Sequence, residues 1–443
     1  MEKLILFLIT FCLVSSIKGQ INTKTNISFE KKIPVWMAEN KVPCLGVGII
    51  EDGELKYVNV FGELKKDVPA PKNTIFNIAS MTKPIVAIVT LKLVESGQWN
   101  LDESLDKYWI DPDVLNDTLH KKLTTRYILS HQSGFPNWRT DNKLKFEFEP
   151  GTEFKYSGEG YEYLRKALEH KFNKSLAALS DSVLFKPLGM NDSYFVWNDN
   201  IKNTRFAFGH DGQGDIYEGQ DWGSVNAAAS MLMSTEDFGK FLIYVMNGAG
   251  LSPKLYNDMI SPQVNVREHV ARCLGWGLVF DLPNAEYAIE HDGGNPGIKT
   301  IGFILPKSKR GIVVLTNGDN GIFVYNKIIS ESLDLGKAFL DISNNAYDAA
   351  VIKLSNEILD KYVGTYSRSD VSGYNLIIKR EGNELIISGD GVPFMTLVPE
   401  SENRFFIKGF GYQYEFIKDE MNIVTKMNIY EKGKLLLDSK KIK

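Results

Sequence analysis

Two polar residues, Ser80 and Lys83, stand at the front of the long apolar segment 76–101. Residues three positions apart share one face of a helix, so the Lys83 amine can reach the Ser80 hydroxyl. Pro84 follows directly, and proline is tolerated only in a first helical turn, which places both residues at a helix start. Free N–H groups there favour an oxyanion, and desolvation lowers a lysine pKa. The pattern indicates nucleophilic acyl transfer; the alternative is a capping serine beside a surface lysine.

Three further stretches carry polar groups at the ends of elements. Residues 123–136, "LTTRYILSHQSGFP", end a helix on a glycine-containing turn, and residues 149–164 place Tyr156 in a turn before a helix. In residues 289–300, "IEHDGGNPGIKT", a strand is predicted to end on His291, and the chain then runs through several glycines. Glycine-rich backbone at a strand end permits close approach of a ligand.

With these stretches, the chain resembles the penicillin-recognising serine hydrolases. These include class C β-lactamases, D-alanyl-D-alanine carboxypeptidases, D-aminopeptidases and β-lactamase-like esterases. The resemblance implies an α+β fold, in which helices flank an antiparallel sheet and an inserted helical subdomain is present. It covers about residues 27–340 and is carried, in order, by the motifs Ser80-Met81-Thr82-Lys83, Tyr156-Ser157-Gly158 and His291-Asp292-Gly293.

The resemblance also implies a role for each site residue. Ser80 would be the nucleophile that becomes acylated, with Lys83 holding the proton balance and Tyr156 as the second member of the base pair. A tyrosine is a base only where cations stabilise its phenolate, and Lys83 is the obvious cation. The N–H groups of Ser80 and Gly294 would form the oxyanion hole. His291 would line the other wall of the cleft.

Two departures from the family pattern bear on the substrate. The second motif usually ends in asparagine, whose amide contacts the substrate amide, whereas Gly158 has no side chain. Many members carry lysine at the position of His291, which is largely neutral at pH 7 because its ordinary pKa is about 6.5. Both changes weaken recognition of a carboxylate-bearing amide. We therefore expect an esterase or D-amino-acid peptidase-like hydrolase acting on a small molecule, ester or short peptide. The alternatives are a true β-lactamase, a D-alanyl-D-alanine carboxypeptidase and a non-catalytic binding homologue.

Hydrophobic patterning predicts the elements that position these residues. Residues 44–64 are typical of two strands joined by the turn Glu51-Asp52-Gly53, and residues 299–305 and 310–317 are typical of a second hairpin across the turn 306–311. Helices are predicted at 164–172 and 234–248, the second capped by Ser234 or Thr235. One further helix, 325–339, is expected to close the unit.

The pattern of apolar and polar residues changes after residue 345. From Tyr362 to the end the chain alternates in short runs between turns, which predicts a small all-β sandwich or barrel of antiparallel strands. We expect three regions: a signal peptide at 1–19, a hydrolase domain at 20–345 and a β-strand-rich domain at 355–443. The last domain is expected to be a packing module; the alternatives are a cover for the cleft rim and a partner-binding module.

Composition excludes several other classes of protein. The formal net charge is −4 over 443 residues, with no basic patch of the kind that nucleic-acid binding needs. The six histidines lack metal-ligand spacing and no phosphate-binding glycine motif precedes a helix, so no metal and no cofactor are expected. The apolar run 4–14 predicts export to a periplasm or the medium, with no membrane span. Cys44 and Cys273 would survive processing, and we expect two small buried side chains rather than a disulfide.

Overall fold

The structure is a computed structural model that describes residues 27–139, 141–345, 347, 349–369, 374–389, 392–431 and 433–443. The predicted signal peptide at 1–19 lies outside the described residues. Among the helices of the described ranges, none has both the length and the apolar character needed to cross a membrane. Cys44 and Cys273 are buried free thiols, so the expectation of two unpaired side chains is confirmed.

The first unit is built on a nine-stranded antiparallel sheet in the order β3-β2-β1-β12-β11-β10-β9-β8-β7. A separate three-stranded sheet has the order β4-β6-β5. Both hairpins expected from the sequence are confirmed, since β1 pairs with β2 and β11 pairs with β12. The strands are β1 (Cys44–Glu51), β2 (Glu54–Lys65), β3 (Val68–Pro69), β4 (Ile75–Asn77), β5 (Ser193–Tyr194), β6 (Leu232–Ser234), β7 (Val264–Arg267), β8 (Val270–Arg272), β9 (Gly277–Leu282), β10 (Glu286–Asn295), β11 (Ile298–Leu305) and β12 (Arg310–Thr316).

Helices cover both faces of the large sheet, so the predicted α+β class is confirmed. One core lies between the sheet and α2, α4 and α8, and a second lies on the other face against α1, α10 and α11. The helices are α1 (Ile33–Glu39), α2 (Thr82–Glu95), α3 (Thr125–Leu129), α4 (Gly158–Phe172), α5 (Leu176–Ser180), α6 (Lys186–Leu188), α7 (Asp199–Thr204), α8 (Thr235–Met246), α9 (Pro253–Ile260), α10 (Gly321–Ser332) and α11 (Gly336–Ser343).

The prediction of a single helix at 325–339 is wrong, because the structure has two helices there. Helix α10 ends at Ser332, and α11 begins at Gly336 after a three-residue break. A side chain at position 336 would collide with the carbonyl of Ile329. The chain therefore folds back closely on α10 at a glycine, a long-range constraint that periodicity does not report.

The second unit is a closed eight-stranded antiparallel barrel, which confirms the predicted all-β appendage. It is preceded by α12 (Asn356–Asp360), and strand β13 closes the barrel on β20. Packed aromatic rings, including Tyr362 stacked on Phe416, fill its interior. Its strands are β13 (Gly364–Arg368), β14 (Asn375–Glu381), β15 (Glu384–Gly389), β16 (Val392–Pro399), β17 (Arg404–Phe406), β18 (Tyr412–Lys418), β19 (Val424–Glu431) and β20 (Lys434–Lys441).

The barrel contacts the first unit beside α10 and α11. The N–H of Phe394 donates to Oδ1 of Asn320, and the Asn345 amide donates to the Glu431 carboxylate. Phe410 packs edge-on against Phe323. These contacts place β16, β18 and β19 near the face of the sheet that α10 and α11 cover.

Candidate active site

Ser80 lies in a single 3₁₀ turn, Ala79–Met81, between β4 and the start of α2. Ala79 has a φ of +47° and is completely buried, a left-handed conformation that is unfavourable for a residue with a Cβ. The Ala79 N–H donates to Oδ1 of Asn77 at 3.0 Å, and the Thr82 hydroxyl donates to the Ala79 carbonyl at 2.7 Å. These bonds hold the turn in the conformation that presents Ser80.

Asn77 connects this turn to two distant segments. Its amide donates to the carbonyls of Ala229 and Met231, and its Oδ1 also accepts from the Asn295 amide at 2.8 Å. Asn77 is completely buried, and an unpaired buried amide would cost about 1–3 kcal/mol. The network ties the serine turn to β10 and to the 226–231 loop.

Lys83 reaches Ser80 from the first turn of α2. Its Nζ lies 3.2 Å from the Ser80 Oγ and 2.9 Å from the carbonyl oxygen of Ala228. The side chain is only 1% exposed, because α2 is apolar on every side and is surrounded by core. Burial lowers the pKa of Lys83 to about 7, against the opposing effect of the Asp292 carboxylate. Near neutral pH a large share of this amine is therefore unprotonated.

Tyr156 completes the group of side chains that the sequence analysis singled out. Its phenol is hydrogen-bonded to Ser80, and its ring centroid is 4.6 Å from the Lys83 Nζ. The His131 ring stacks on the Tyr156 ring, and the two ring centroids are 4.2 Å apart. Burial raises the pKa of Tyr156, and the hydrogen bond to Ser80 offsets this only in part. The expected stabilised phenolate is therefore not what this environment favours, because burial disfavours the charged form of the phenol.

His291 presents a hydrogen-bond acceptor rather than a cation. Its Nδ1 lies 2.6 Å from the carbonyl oxygen of Asp292, and a carbonyl only accepts, so Nδ1 carries the proton. The neutral ring therefore has a bare Nε2. Burial, together with the charges of Arg272 and Lys83, holds the pKa of His291 well below its usual value. The ring lies 6.4 Å from that of Tyr156.

The glycines after His291 bring β10 close to the serine turn. A Cβ built on Gly293 would lie 2.5 Å from the Ile78 carbonyl oxygen and 3.2 Å from the Ala79 Cβ, and would collide with Thr300. A Cβ on Gly294 would meet only the flexible end of Lys299, at 3.4 Å. Gly293 is thus the residue that allows the strand to pack against the turn carrying Ser80.

Trp138 occupies the space that a side chain at position 158 would need. A Cβ on Gly158 would lie 2.7 Å from the Trp138 ring, which is 43% exposed. The N–H of Gly158 donates to Asn137, so the same loop satisfies the start of α4. Trp138 was not predicted from the sequence, although it lies two residues beyond the "SHQSGFP" stretch.

We predict that Gly293→Ala lowers the free energy of unfolding by about 1–3 kcal/mol, because the added methyl group overpacks a backbone contact. The matched control is Gly294→Ala, which should stay within about 0.5 kcal/mol of the parent because a flexible lysine end can move aside. Urea denaturation followed by tryptophan fluorescence measures both. Equal stability of the two variants would show that β10 does not depend on close approach at position 293.

We also predict that Gly158→Asn lowers the free energy of unfolding by about 1–3 kcal/mol because its side chain meets the Trp138 ring. The double variant Trp138→Ala/Gly158→Asn should recover at least half of that loss relative to Trp138→Ala alone. A double-mutant cycle, measured by urea denaturation, gives the coupling free energy between positions 138 and 158. Additive effects of the two substitutions would contradict the contact.

Comparison with known proteins identifies the family and the fold. The family model described as "Beta-lactamase" matches residues 29–329. Penicillin-binding protein 4* of Bacillus subtilis is 24% identical over 86% of this chain and 92% of its own length. Among solved structures, the octameric penicillin-binding protein homologue from Pyrococcus abyssi superposes with a TM-score of 0.61 at 22% identity, covering 93% of this chain and 99% of its own. The D-alanine carboxypeptidase AmpC from Burkholderia cenocepacia has a TM-score of 0.59 at 20% identity, covering 69% and 97% of the two chains. The chain belongs to the β-lactamase family of penicillin-recognising serine hydrolases.

Proposed function

We propose that this protein is an exported serine hydrolase that cleaves an ester or amide bond through an acyl-enzyme on Ser80. The observation that carries the proposal is the 3.2 Å contact between the Ser80 hydroxyl and the buried amine of Lys83. An activated serine needs a base within hydrogen-bond reach whose pKa is near the working pH, and Lys83 meets both conditions. The apolar run at residues 4–14 supports export.

In the acylation step, the Ser80 oxygen attacks the substrate carbonyl carbon and transfers its proton to the neutral Lys83 amine. The negative charge that develops on the carbonyl oxygen is placed near the N–H groups of Ser80 and Gly294. When the carbon–heteroatom bond breaks, the leaving group takes a proton through the Tyr156 phenol, and Lys83 restores the phenol proton. The Ser80 ester and a neutral Lys83 amine remain, and the protonated leaving group departs.

Deacylation repeats these proton transfers with water in place of serine. Water attacks the ester carbonyl carbon and gives up one proton to Lys83, and the Ser80 oxygen regains that proton through Tyr156 as the C–O bond breaks and the carboxylic acid is released. In this scheme Lys83 is the base and Tyr156 acts as a phenol that relays a proton. The raised pKa of Tyr156 and the lowered pKa of Lys83 support that division of roles.

The walls of the cleft favour an ester, or a peptide without a required carboxylate, over a β-lactam. A bare Nε2 on neutral His291 offers no cation to a carboxylate. At position 158 no amide is available to read a substrate amide, and Trp138 fills the space. Both features are consistent with the esterase or D-amino-acid peptidase-like activity expected from the sequence.

A second candidate is a binding or sensing homologue without turnover. Gly158 favours it, because a cleft that lacks a usual polar contact can hold a ligand without positioning it for attack. A D-alanine carboxypeptidase, the activity named for the Burkholderia neighbour, would show as release of D-alanine from a stem peptide. A β-lactamase would show as opening of a chromogenic cephalosporin.

We predict that Ser80→Ala lowers the rate of p-nitrophenyl butyrate hydrolysis by about 1,000-fold or more, since the nucleophile is lost. Ser96→Ala, which removes a hydroxyl at the far end of α2, is the matched control and should retain the parent rate. Release of p-nitrophenol measures all three proteins. Equal turnover by the parent and Ser80→Ala would reject an acyl-enzyme on Ser80. No turnover by the parent on ester, D-peptide or β-lactam substrates would favour the binding homologue.

The pH dependence of kcat/KM should follow the protonation of Lys83. Because burial lowers its pKa from 10.5 to about 7, the base is lost as pH falls through 7. The value of kcat/KM should fall about tenfold per pH unit below pH 7 and be level above it. The measurement is initial rates from pH 5 to 9.5, corrected for spontaneous hydrolysis. A rate that still rises tenfold per unit between pH 8 and 9.5 would show that Lys83 keeps its proton at neutral pH.

A further inference from the structure

A cavity of about 400 Å³ lies behind the strand that borders the Ser80 site. Side chains alternate across a strand, and His291 and Gly293 face the serine turn, as the contact between position 293 and Ala79 shows. Asp292 and Gly294 therefore face the opposite side, where both line the cavity. None of Ser80, Lys83, Tyr156 and His291 lines the cavity, but Gly293 and Gly294 do, so the backbone of β10 borders both the cavity and the Ser80 site.

Both units of the chain build the walls of this cavity. The sheet supplies one side through β10 and its neighbours, and Tyr325 of α10 forms part of the floor. The barrel supplies the opposite side with Met395 of β16, Tyr412 of β18 and Glu431 of β19. The pocket therefore exists only where the barrel is docked against the first unit.

The charged side chains that line the cavity are Arg267, Arg272, Lys299, Glu290, Asp292 and Glu431. Most of them are engaged with the protein, and burial lowers the pKa of Lys299. Arg272 pairs with Glu290 at 3.5 Å, and Arg267 donates to the carbonyls of Ile342 and Ser343. The Glu431 carboxylate accepts from the Asn345 amide. These groups form the polar frame of the cavity, and their partners leave them less free to bind a ligand.

Asp292 differs from those groups. Its carboxylate is exposed, and within the described ranges no ion pair of 4 Å or less joins it to a cation, although it is close enough to Lys299 to oppose the burial that lowers the pKa of that amine. The phenols of Tyr325 and Tyr412 also make no hydrogen bond to another described residue, although Tyr325 is only 5% exposed. Asp292 is near enough to influence the pKa of both phenols. A carboxylate and two phenol oxygens thus lie together in a pocket that also has apolar and aromatic walls.

We propose that this cavity binds a small organic ammonium compound with an aromatic or apolar body. The ammonium would donate to the Asp292 carboxylate and to a phenol oxygen, and the body would pack on the rings of Tyr325 and Tyr412. A volume of about 400 Å³ is within the range of small-molecule sites. The site is separate from the proposed hydrolase function and does not depend on it.

The test is calorimetric titration of the full-length mature protein with benzylamine. Benzyl alcohol and benzoate, which keep the ring but are neutral and anionic, are titrated beside it. Benzylamine should bind saturably, and the other two at least tenfold more weakly. No saturable binding of benzylamine, or equal or tighter binding of benzoate, would overturn the proposal.

Variants locate the site. Asp292→Asn should weaken benzylamine binding at least tenfold, and Tyr412→Phe should weaken it several-fold. Both positions are exposed, so each variant should keep the parent circular dichroism spectrum. Asp341→Asn, at an exposed carboxylate on α11, is the matched control and should bind as the parent does. Undiminished binding by folded Asp292→Asn would overturn the site.

Labelling of Ser80 separates this site from the hydrolase cleft. Protein whose Ser80 carries a small phosphonate, and the Ser80→Ala variant, should both bind benzylamine with unchanged affinity. Loss of binding on labelling would place the amine in the cleft and overturn the separate site. Because binding is measured without turnover, failure of the hydrolase assay and failure of this proposal are distinguishable.

Discussion

Burying an amine is unfavourable unless its charge is compensated or its proton is lost. Lys83 is almost wholly enclosed by the core around α2, and its two hydrogen bonds within the described residues go to a hydroxyl and a carbonyl, neither of which carries a charge. The protein therefore holds this lysine where the neutral form is accessible near pH 7. Every chemical property proposed for the site follows from that placement, because a protonated Lys83 could not activate Ser80.

The fold keeps the amine and the hydroxyl together through backbone contacts. The left-handed Ala79 sets the direction of the serine turn, and Asn77 fixes that turn to β10 and to the loop that accepts from Lys83. Close packing at Gly293 then brings the strand to the other side of the site. The same strand has a second face, so a ligand in the cavity behind it would lie one strand thickness from the serine.

Much of this arrangement could be predicted from sequence because its signals are local. The apolar helix, the proline after Lys83 and the glycines after His291 each report a nearby constraint, and the hairpins and the barrel follow from alternating short runs. The break between α10 and α11, the strain at Ala79 and the bond between Asn77 and Asn295 depend on residues far apart in the chain. Trp138 was missed for the same reason, since nothing near it in sequence shows that it covers Gly158. The phenolate of Tyr156 was expected to be stabilised by the Lys83 cation, whereas the burial that lowers the pKa of Lys83 also raises the pKa of the phenol.

The central claim is that Ser80 is an activated nucleophile, and covalent labelling tests it most directly. The mature protein would be treated with a fluorophosphonate at pH 8, and its intact mass and peptide fragments measured. We expect one added phosphonate, located on the peptide that contains Ser80, and an unchanged mass for Ser80→Ala. An unlabelled parent protein, or a label on another residue that persists in Ser80→Ala, would contradict the account.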